Sequence, residues 1–522
     1  MGHERADSER LHSRGILVPI DWGGATNGPF TLGFWGPGTV TELLFAVRWG
    51  CANRAPMSSF QEPVATVGSM LEPNLGAMPE RLVVPWSADQ TSRACHVAVA
   101  LYLCACFLAF DDGMRVLLVL GGSGFILWRR TLTWSWSTDS KDIFRGLAAH
   151  FLCWMTARSL FEYGRFNVEY SREAGWWLFG TFLLVLFSWL VWEAARNAPA
   201  LAAMGRWVGL SAALAAAASF LLFYGILPNH VIGERLQNCF IYGGMNPVST
   251  GLTFGFAALW LVCLSEEKMP TRERALCTLA LVVLLTAVLF TRSRGALLAL
   301  LAGYTALTYA RGVRRMATPW VLLATLFTLF ILGGPLVSCL AARQAAAAVS
   351  LNEPISVEHL VLQRMQSPPP VREMVERRDS GRLLLYRHAA RTLTTPMDWI
   401  FGVGQWGPGE FSSRGFGINH NHLHSGFFAT LVHGGIIGLA LLLAMLGIGL
   451  RRAGQLAKQG HDVWLALLIY GCAGLLFDGQ TLTTLNSLPQ METLLFAFPL
   501  VAAASIGARE KGAQERPGNL RG

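Results

Sequence analysis

The sequence predicts an all-α polytopic membrane protein with about twelve transmembrane helices and one large loop that contains short helices. Apolar runs of roughly bilayer-crossing length follow one another from about residue 94 onward. Only 14% of the residues are charged, whereas a soluble domain carries about a quarter. Eighteen Trp and thirty Phe fit a protein whose aromatic side chains lie at the membrane interfaces.

Twelve apolar runs account for the predicted helices. They lie near residues 94–110, 114–129, 144–162, 175–195, 207–226, 248–265, 274–291, 294–311, 319–340, 426–450, 462–479 and 488–507. Several fall slightly below the roughly 20 residues that cross a bilayer upright, so their boundaries are approximate.

The domain organisation follows from these runs. The first 90 residues are rich in Gly, Pro and polar residues, and we interpret them as a poorly structured cytoplasmic extension or as sequence upstream of the true start, with Met78 as a candidate initiator. The remaining parts are helices 1–9 in 91–340, a periplasmic loop in 341–425, helices 10–12 in 426–508 and a cytoplasmic tail in 509–522.

The distribution of basic residues predicts the orientation. With both termini inside, the predicted inner loops hold most of the Lys and Arg, as the positive-inside rule requires. The loop 341–425 then faces the periplasm. The net charge of +9 is scattered over short loops and forms no basic stripe, which argues against a nucleic-acid partner. The short outer loops keep few arginines: Arg165, Arg172, Arg235, Arg292 and Arg294.

Three outer arginines predict a phosphate site. Arg294 lies in the tight turn between the seventh and eighth runs, Arg235 precedes a Gly-Gly-Met-Asn-Pro segment, and Arg382 opens an amphipathic helix over 381–394. The planar guanidinium pairs bidentately with phosphate oxygens, so several of them around one cavity suit a pyrophosphate. We interpret Arg292, Arg165 and Arg172 as arginines that reach toward lipid headgroups.

A polar, histidine-rich stretch, residues 419–438, leads into the tenth run. His424 is followed by Ser425, nine further residues and then Gly435 and Gly438. A titratable cluster at the mouth of a membrane helix is costly unless it is solvated or used. Three other sets are weaker candidates: a zinc site at His420, His422 and His424, a metal pair at Asp111 and Asp112, and helix-packing polar groups at His150 and Arg158. We expect no metal.

These motifs, in this order, resemble the O-antigen ligase and O-antigen polymerase superfamily of polytopic bacterial glycosyltransferases. The resemblance rests on Thr291–Leu301, Arg382–Phe411 with Gly402-Val403-Gly404, and His424 in register with Gly435 and Gly438. It covers roughly residues 205–450. Asn246-Pro247 resembles the ligase branch, whereas Leu439 stands where that branch often has Ser or Thr.

The resemblance implies an activity and its residues. A glycan would leave undecaprenyl diphosphate at the periplasmic face of the bacterial inner membrane, without cofactor or metal. Arg235 and Arg294 would bind the pyrophosphate and stabilise the charge that develops on it, and Arg382 would assist from the loop. His424 would orient or deprotonate the acceptor hydroxyl, since histidine titrates near neutral pH. The implied partners are the lipid-linked glycan, a lipid A–core or glycan acceptor, and membrane lipids.

Three functions remain open at this point. The favoured one is ligation of O-antigen to lipid A–core. The second is polymerisation of O-antigen or exopolysaccharide repeat units by the same chemistry. The third is a polysaccharide-related transporter or flippase, which is disfavoured because the sequence has no internal repeat and its informative polar residues cluster at one face.

Overall fold

A computed structural model describes residues 86–108, 112–129, 142–166, 171–226, 235–240, 246–264, 269–349, 382–404, 423–477 and 493–514. All of the elements in these ranges are helices, as the sequence predicts. The described residues belong to one compact unit. Most of the predicted N-terminal extension, together with His420, His422 and Asp111, lies outside them.

Fifteen α-helices occur in the described ranges, and two π-helical turns adjoin two of them, Leu222–Ile226 after α6 and Thr493–Ala497 before α15. The helices are α1 Ala88–Leu108, α2 Asp112–Arg129, α3 Ile143–Phe166, α4 Ser171–Ala194, α5 Ala198–Ala203, α6 Gly205–Leu221, α7 Pro247–Leu264, α8 Thr271–Phe290, α9 Arg294–Arg311, α10 Val313–Val349, α11 Arg382–Arg391, α12 Pro396–Phe401, α13 Gly426–Lys458, α14 Val463–Phe477 and α15 Phe498–Gln514.

The predicted apolar runs fall on helices wherever the structure describes them. Six helical segments are long and apolar enough to cross a membrane, and three more are apolar but shorter. The chain is therefore a multi-pass membrane protein, and the number of twelve spans stays a prediction. The ninth run was predicted over 319–340, whereas α10 extends over 313–349.

The amphipathic helix predicted over 381–394 is shorter than expected. Helix α11 ends at Arg391, and the chain cannot continue it into α12, because Thr395, the residue before Pro396, is disfavoured in helical conformation and forms the N-cap of α12. The proline occupies the first position of α12, where its missing N–H costs no hydrogen bond.

Helix α7 forms the centre of the bundle. Its residues are buried continuously from Thr250 to Leu264. Neighbouring helices approach it where glycine leaves room: the Tyr470 ring of α14 lies against Gly255 and donates its hydroxyl to the carbonyl oxygen of Leu252 at 2.7 Å. Such small-residue contacts replace the hydrophobic effect as the packing force between helices in lipid.

Helices α9 and α14 run antiparallel, which fixes the two ends of the bundle. Gly295 at the start of α9 lies against Phe477 at the end of α14. At the other end of α9, Arg311 binds Asp462, which directly precedes α14. Because residues 459–462 join α13 to α14, the end of α13 lies beside Arg311 and its beginning lies at the end that carries Arg294.

Buried ion pairs hold one end together. Arg311 donates to Asp462 at 2.8 Å and to the carbonyl oxygen of Cys263 at 2.6 Å. Arg452 donates to Asp142 at 2.7 Å and to the carbonyl oxygen of Ala504 at 2.7 Å. We call this the basic end, because Arg314, Arg315, Arg451 and Lys458 also lie there. The opposite end is the motif end.

The Arg311–Asp462 pair should stabilise the fold mainly because each charge neutralises the other, and loss of one partner would leave the other charge buried and uncompensated. Asp462→Ala leaves a guanidinium with little solvent access, which is expected to cost about 3–5 kcal/mol of unfolding free energy. The double variant Arg311→Met with Asp462→Leu removes both charges and should lose clearly less. Thermal unfolding in detergent measures both, and an equal loss in the single and double variants would contradict this account.

Candidate active site

Arg294 lies at the first position of α9, directly after a tight turn. Helix α8 ends at Phe290, and Arg292 has a positive φ of 49° that reverses the chain. The hydroxyl of Ser293 caps α9 by accepting from the N–H of Ala296 at 3.2 Å. Thr291 and Ser293 are buried, so the turn is part of the core and Arg294 is fixed at its edge.

Helix α7 packs directly against this turn at Gly251. A Cβ atom at Gly251 would lie 2.6 Å from the Thr291 hydroxyl and 2.9 Å from the Ala296 Cβ. Only glycine permits this approach, so the turn that carries Arg294 rests directly on the central helix.

Arg235, in the segment 235–240, is hydrogen-bonded to the same turn. Its Nε donates to the carbonyl oxygen of Thr291 at 2.9 Å, and the N–H of Leu236 donates to the carbonyl oxygen of Phe290 at 3.0 Å. These bonds satisfy carbonyls at the end of α8. Arg235 therefore contacts the backbone of Thr291, three residues before Arg294.

Asn238 anchors the Arg235 segment in the core, and the sequence analysis missed it. The residue is fully buried. Its backbone N–H donates to the Thr250 hydroxyl at 3.0 Å, and its side chain accepts from the N–H of Phe240 at 3.0 Å. The Ser219 hydroxyl also donates to it, at 3.4 Å. The one feature of the sequence that could have indicated this role is an amide side chain directly before two apolar residues, Cys239 and Phe240.

His424 and Arg382 form the second group. Tyr386, one turn after Arg382 on α11, donates its hydroxyl to the carbonyl oxygen of His424 at 3.4 Å. The Tyr386 ring also packs on Phe428 with the ring centroids 4.8 Å apart. Residues four apart share one helix face, so Arg382 lies on the face of α11 that meets His424.

The backbone of His424 is held in an unusual conformation. Its φ is +52°, one of two positive values among the described non-glycine residues, the other being Arg292 of the arginine turn. The next residue, Ser425, is buried and caps α13 by accepting from the N–H of Phe428 at 3.4 Å. Non-glycine residues in this region often lie at functional sites.

Helix α13 is broken at Gly435, and the break receives the Gly-Val-Gly motif. Gly435 has φ 67° and ψ −168°, so the helix hydrogen bonds around it are interrupted. The carbonyl oxygens of Val432 and His433 accept instead from the N–H groups of Val403 and Gly404, at 2.9 and 3.0 Å. We call these paired segments, 402–404 and 432–435, the glycine seam.

Helix α3 secures the glycine seam from the other side. Trp154 donates its indole N–H to the carbonyl oxygen of Gly434 at 2.8 Å. Arg158 donates from Nε and Nη2 to the carbonyl oxygen of Gly402, at 3.0 and 2.8 Å. Arg158 is thus a packing group, as the sequence predicted, whereas His150 bonds to Gly146 of its own helix.

All four predicted site residues lie at the motif end. Arg294 follows the turn after α8 and Arg235 is hydrogen-bonded to that turn, whereas Arg382 and His424 lie where α11 meets α13. The antiparallel arrangement of α9 and α14 and the short connection from α13 to α14 place the two groups at the same end of the bundle.

The described residues hold no group of three His, Cys, Asp or Glu side chains that suits a metal ion. The candidate ligands His420, His422 and Asp111 lie outside those residues.

Residues 279–443 match the Wzy_C family, described as O-antigen ligase. The predicted superfamily is therefore confirmed, and ligase and polymerase branches are not distinguished. The matched range contains Arg294, Arg382 and His424, and Arg235 precedes it. No curated protein matches the chain. The family indicates glycan transfer in O-antigen or polysaccharide assembly.

The glycine seam should not tolerate a side chain. In Gly435→Ala, the added Cβ would overlap the carbonyl oxygen of Ile400, and the backbone at φ 67° and ψ −168° is essentially restricted to glycine, which alone costs about 1–3 kcal/mol. We expect a lower melting temperature and loss of glycan transfer.

The matched control lies on the same helix. Gly447 has open space around its Cβ position, so Gly447→Ala should leave activity unchanged and stabilise by up to about 1 kcal/mol. If Gly435→Ala behaved like Gly447→Ala in detergent, the seam would not be closed as described.

Proposed function

We propose, from the membership of residues 279–443 in the O-antigen ligase superfamily, that this protein transfers a glycan from undecaprenyl diphosphate to an acceptor hydroxyl at the periplasmic face of the inner membrane. The favoured reaction is ligation of O-antigen to lipid A–core. The observation that carries the proposal is the gathering of Arg235, Arg294, Arg382 and His424 at one end of the bundle, opposite the basic end.

Orientation follows from the charges. The positive-inside rule assigns the basic end, with Arg311, Arg452 and Lys458, to the cytoplasm. The motif end then faces the periplasm, where a lipid-linked glycan presents its pyrophosphate at the level of the headgroups.

Arg235 and Arg294 suit the donor. A pyrophosphate leaving group gains negative charge as the glycosidic bond breaks, and guanidinium groups placed beside it stabilise that charge. Hydrogen bonding of the Arg235 Nε to Thr291 fixes the plane of one guanidinium next to the helix that begins with Arg294. Arg382 approaches from the loop.

His424 suits the acceptor. The acceptor oxygen forms a bond to the anomeric carbon while the bond from that carbon to the pyrophosphate oxygen breaks. A neutral imidazole takes the hydroxyl proton, and the pyrophosphate leaves with the electron pair. The reaction is a single displacement and needs neither a nucleotide sugar nor a metal.

Polymerisation of repeat units is the second candidate. Leu439 favours it, because the ligase branch often has Ser or Thr at this position after the second motif glycine. Both reactions use the same donor and the same residues and differ in the acceptor alone.

Two substitutions test the mechanism. His424→Ala should lower the transfer rate by about 10²–10⁴-fold, the usual contribution of a general base. Arg294→Ala should lower it by about 10²–10³-fold, because a charge-stabilising group is lost. Purified protein in proteoliposomes, with lipid-linked glycan and acceptor supplied, provides the rate.

Matched controls come from the same chain. Arg272→Ala removes an exposed arginine at the start of α8, at the other end of that helix from the arginine turn, and His461→Ala removes a histidine at the basic end. Both should keep near wild-type rates. Full activity in His424→Ala or Arg294→Ala, at normal protein level, would refute the assigned role of that residue.

The acceptor separates ligase from polymerase. A deletion strain lacking a ligase should accumulate polymerised, undecaprenyl-linked chains and bare lipid A–core. A strain lacking a polymerase should show core capped by single repeat units. Gel profiles of the lipopolysaccharide distinguish the two, and a normal profile with a defect in solute uptake would favour a transporter instead.

A further inference from the structure

Helix α12 exposes large apolar side chains although it lies outside the long apolar helices. Met397, Trp399, Ile400 and Phe401 are between 37% and 63% exposed. Four such side chains on a helix of six residues would be unfavourable in water, and contiguous apolar patches of this kind mark a surface that meets a partner or a membrane.

The polar side of α12 is a rigid cap. Thr395 donates its backbone N–H to the Asp398 carboxylate at 2.8 Å, and Thr394 donates its hydroxyl to the same oxygen at 3.1 Å. Burial acts to raise the pKa of Asp398, but the hydrogen bonds from Thr395 and Thr394 outweigh it and hold this pKa below its ordinary value. The cap is therefore charged at neutral pH, and α12 has one charged and one apolar side.

The glycine seam fixes the height of α12 along the bundle. Gly402 directly follows the helix and is bonded to Arg158, and its neighbours pair with the break at Gly435. From Gly435 to Arg451 at the basic end, α13 rises about 24 Å at 1.5 Å per residue. The hydrocarbon core of a bilayer is about 30 Å thick, so α12 lies near its boundary at the motif end.

The exposed face of α12 continues the lipid-facing surface of the bundle. Phe401 packs on Trp154 of α3 with the ring centroids 5.8 Å apart. Phe161 on α3 and Ile436 on α13, which flank the seam, are 67% and 54% exposed. Trp is enriched at membrane interfaces, because its ring is apolar and its N–H is polar.

We propose that α12 is an interfacial anchor, whose apolar face is inserted among the headgroups and upper acyl chains of the leaflet at the motif end. Bilayer lipid covers this face. The face lies near the boundary of the hydrocarbon core, and it continues the exposed apolar surface of α3 and α13. Where the proposed function holds, the anchor sets the height of α11, and so of Arg382, relative to the lipid-linked donor.

A photo-crosslinking amino acid tests the anchor in the full-length protein. A diazirine side chain is placed at Met397 or Ile400 on the apolar face, and at Thr394 on the polar side as the matched control. The variants are reconstituted in vesicles of phosphatidylethanolamine and phosphatidylglycerol and irradiated. Mass spectrometry of the tryptic peptides identifies the adducts, and unchanged melting temperatures establish that the variants fold.

The expected result is a phospholipid adduct at 397 and 400 with a yield several-fold above that at 394. Equal yields at all three positions would overturn the proposal, and so would crosslinks from 397 or 400 to a second copy of the chain. The assay uses neither donor nor acceptor, so its outcome is independent of whether the glycan-transfer proposal holds.

Discussion

A break in a membrane helix leaves backbone carbonyls without their helical partners, and other hydrogen-bond donors must replace these partners. This requirement determines how the segments at the motif end are arranged. An unsatisfied backbone carbonyl costs several kcal/mol in hydrocarbon, so a break persists only where protein supplies the missing partners. The break at Gly435 is satisfied by Val403, Gly404 and the Trp154 indole. The partner segment 402–404 is in turn held by Arg158, so α12, which directly precedes it, is tied to the bundle through this contact. Helix α11 is held separately, by Tyr386 against His424 and Phe428.

The two ends of the bundle use arginine differently. At the basic end, Arg311 and Arg452 bind carboxylates and close the bundle. At the motif end, Arg235 and Arg158 donate to backbone carbonyls. A bond to a carbonyl fixes the plane of the guanidinium against the backbone, whereas a bond to a carboxylate also pairs two opposite charges. Arg311 and Arg452 make bonds of both kinds, since each also donates to a backbone carbonyl.

Local patterns predicted much of the fold. The helix Arg294–Arg311 has the predicted bounds because Ser293 caps it and Gly312 ends it, both of which are readable from the chain. The start of α11 at Arg382 was likewise predicted, as was the superfamily. The number of spans and the roles of the four site residues stay predictions.

Contacts between distant parts of the chain could not be predicted. The sequence marked Gly402, Gly404 and Gly435 as motif residues, but glycine in a membrane helix usually indicates close helix packing. Their pairing depends on backbone angles that composition does not encode. Arg158 looked like an ordinary polar residue near an apolar run, because its partner lies 244 positions away. Asn238 looked the same, because its complete burial between Thr250 and Ser219 becomes visible only in the folded chain.

The same separation has a consequence for biosynthesis. Trp154 precedes its partner Gly434 by 280 positions, so α3 enters the membrane long before α13 is synthesised. Until then, the Arg158 guanidinium has to extend toward the headgroups, as long cationic side chains near helix ends do. The seam therefore closes late during membrane insertion, because a ribosome-bound chain that stops short of residue 432 lacks the carbonyl groups to which Val403 and Gly404 donate.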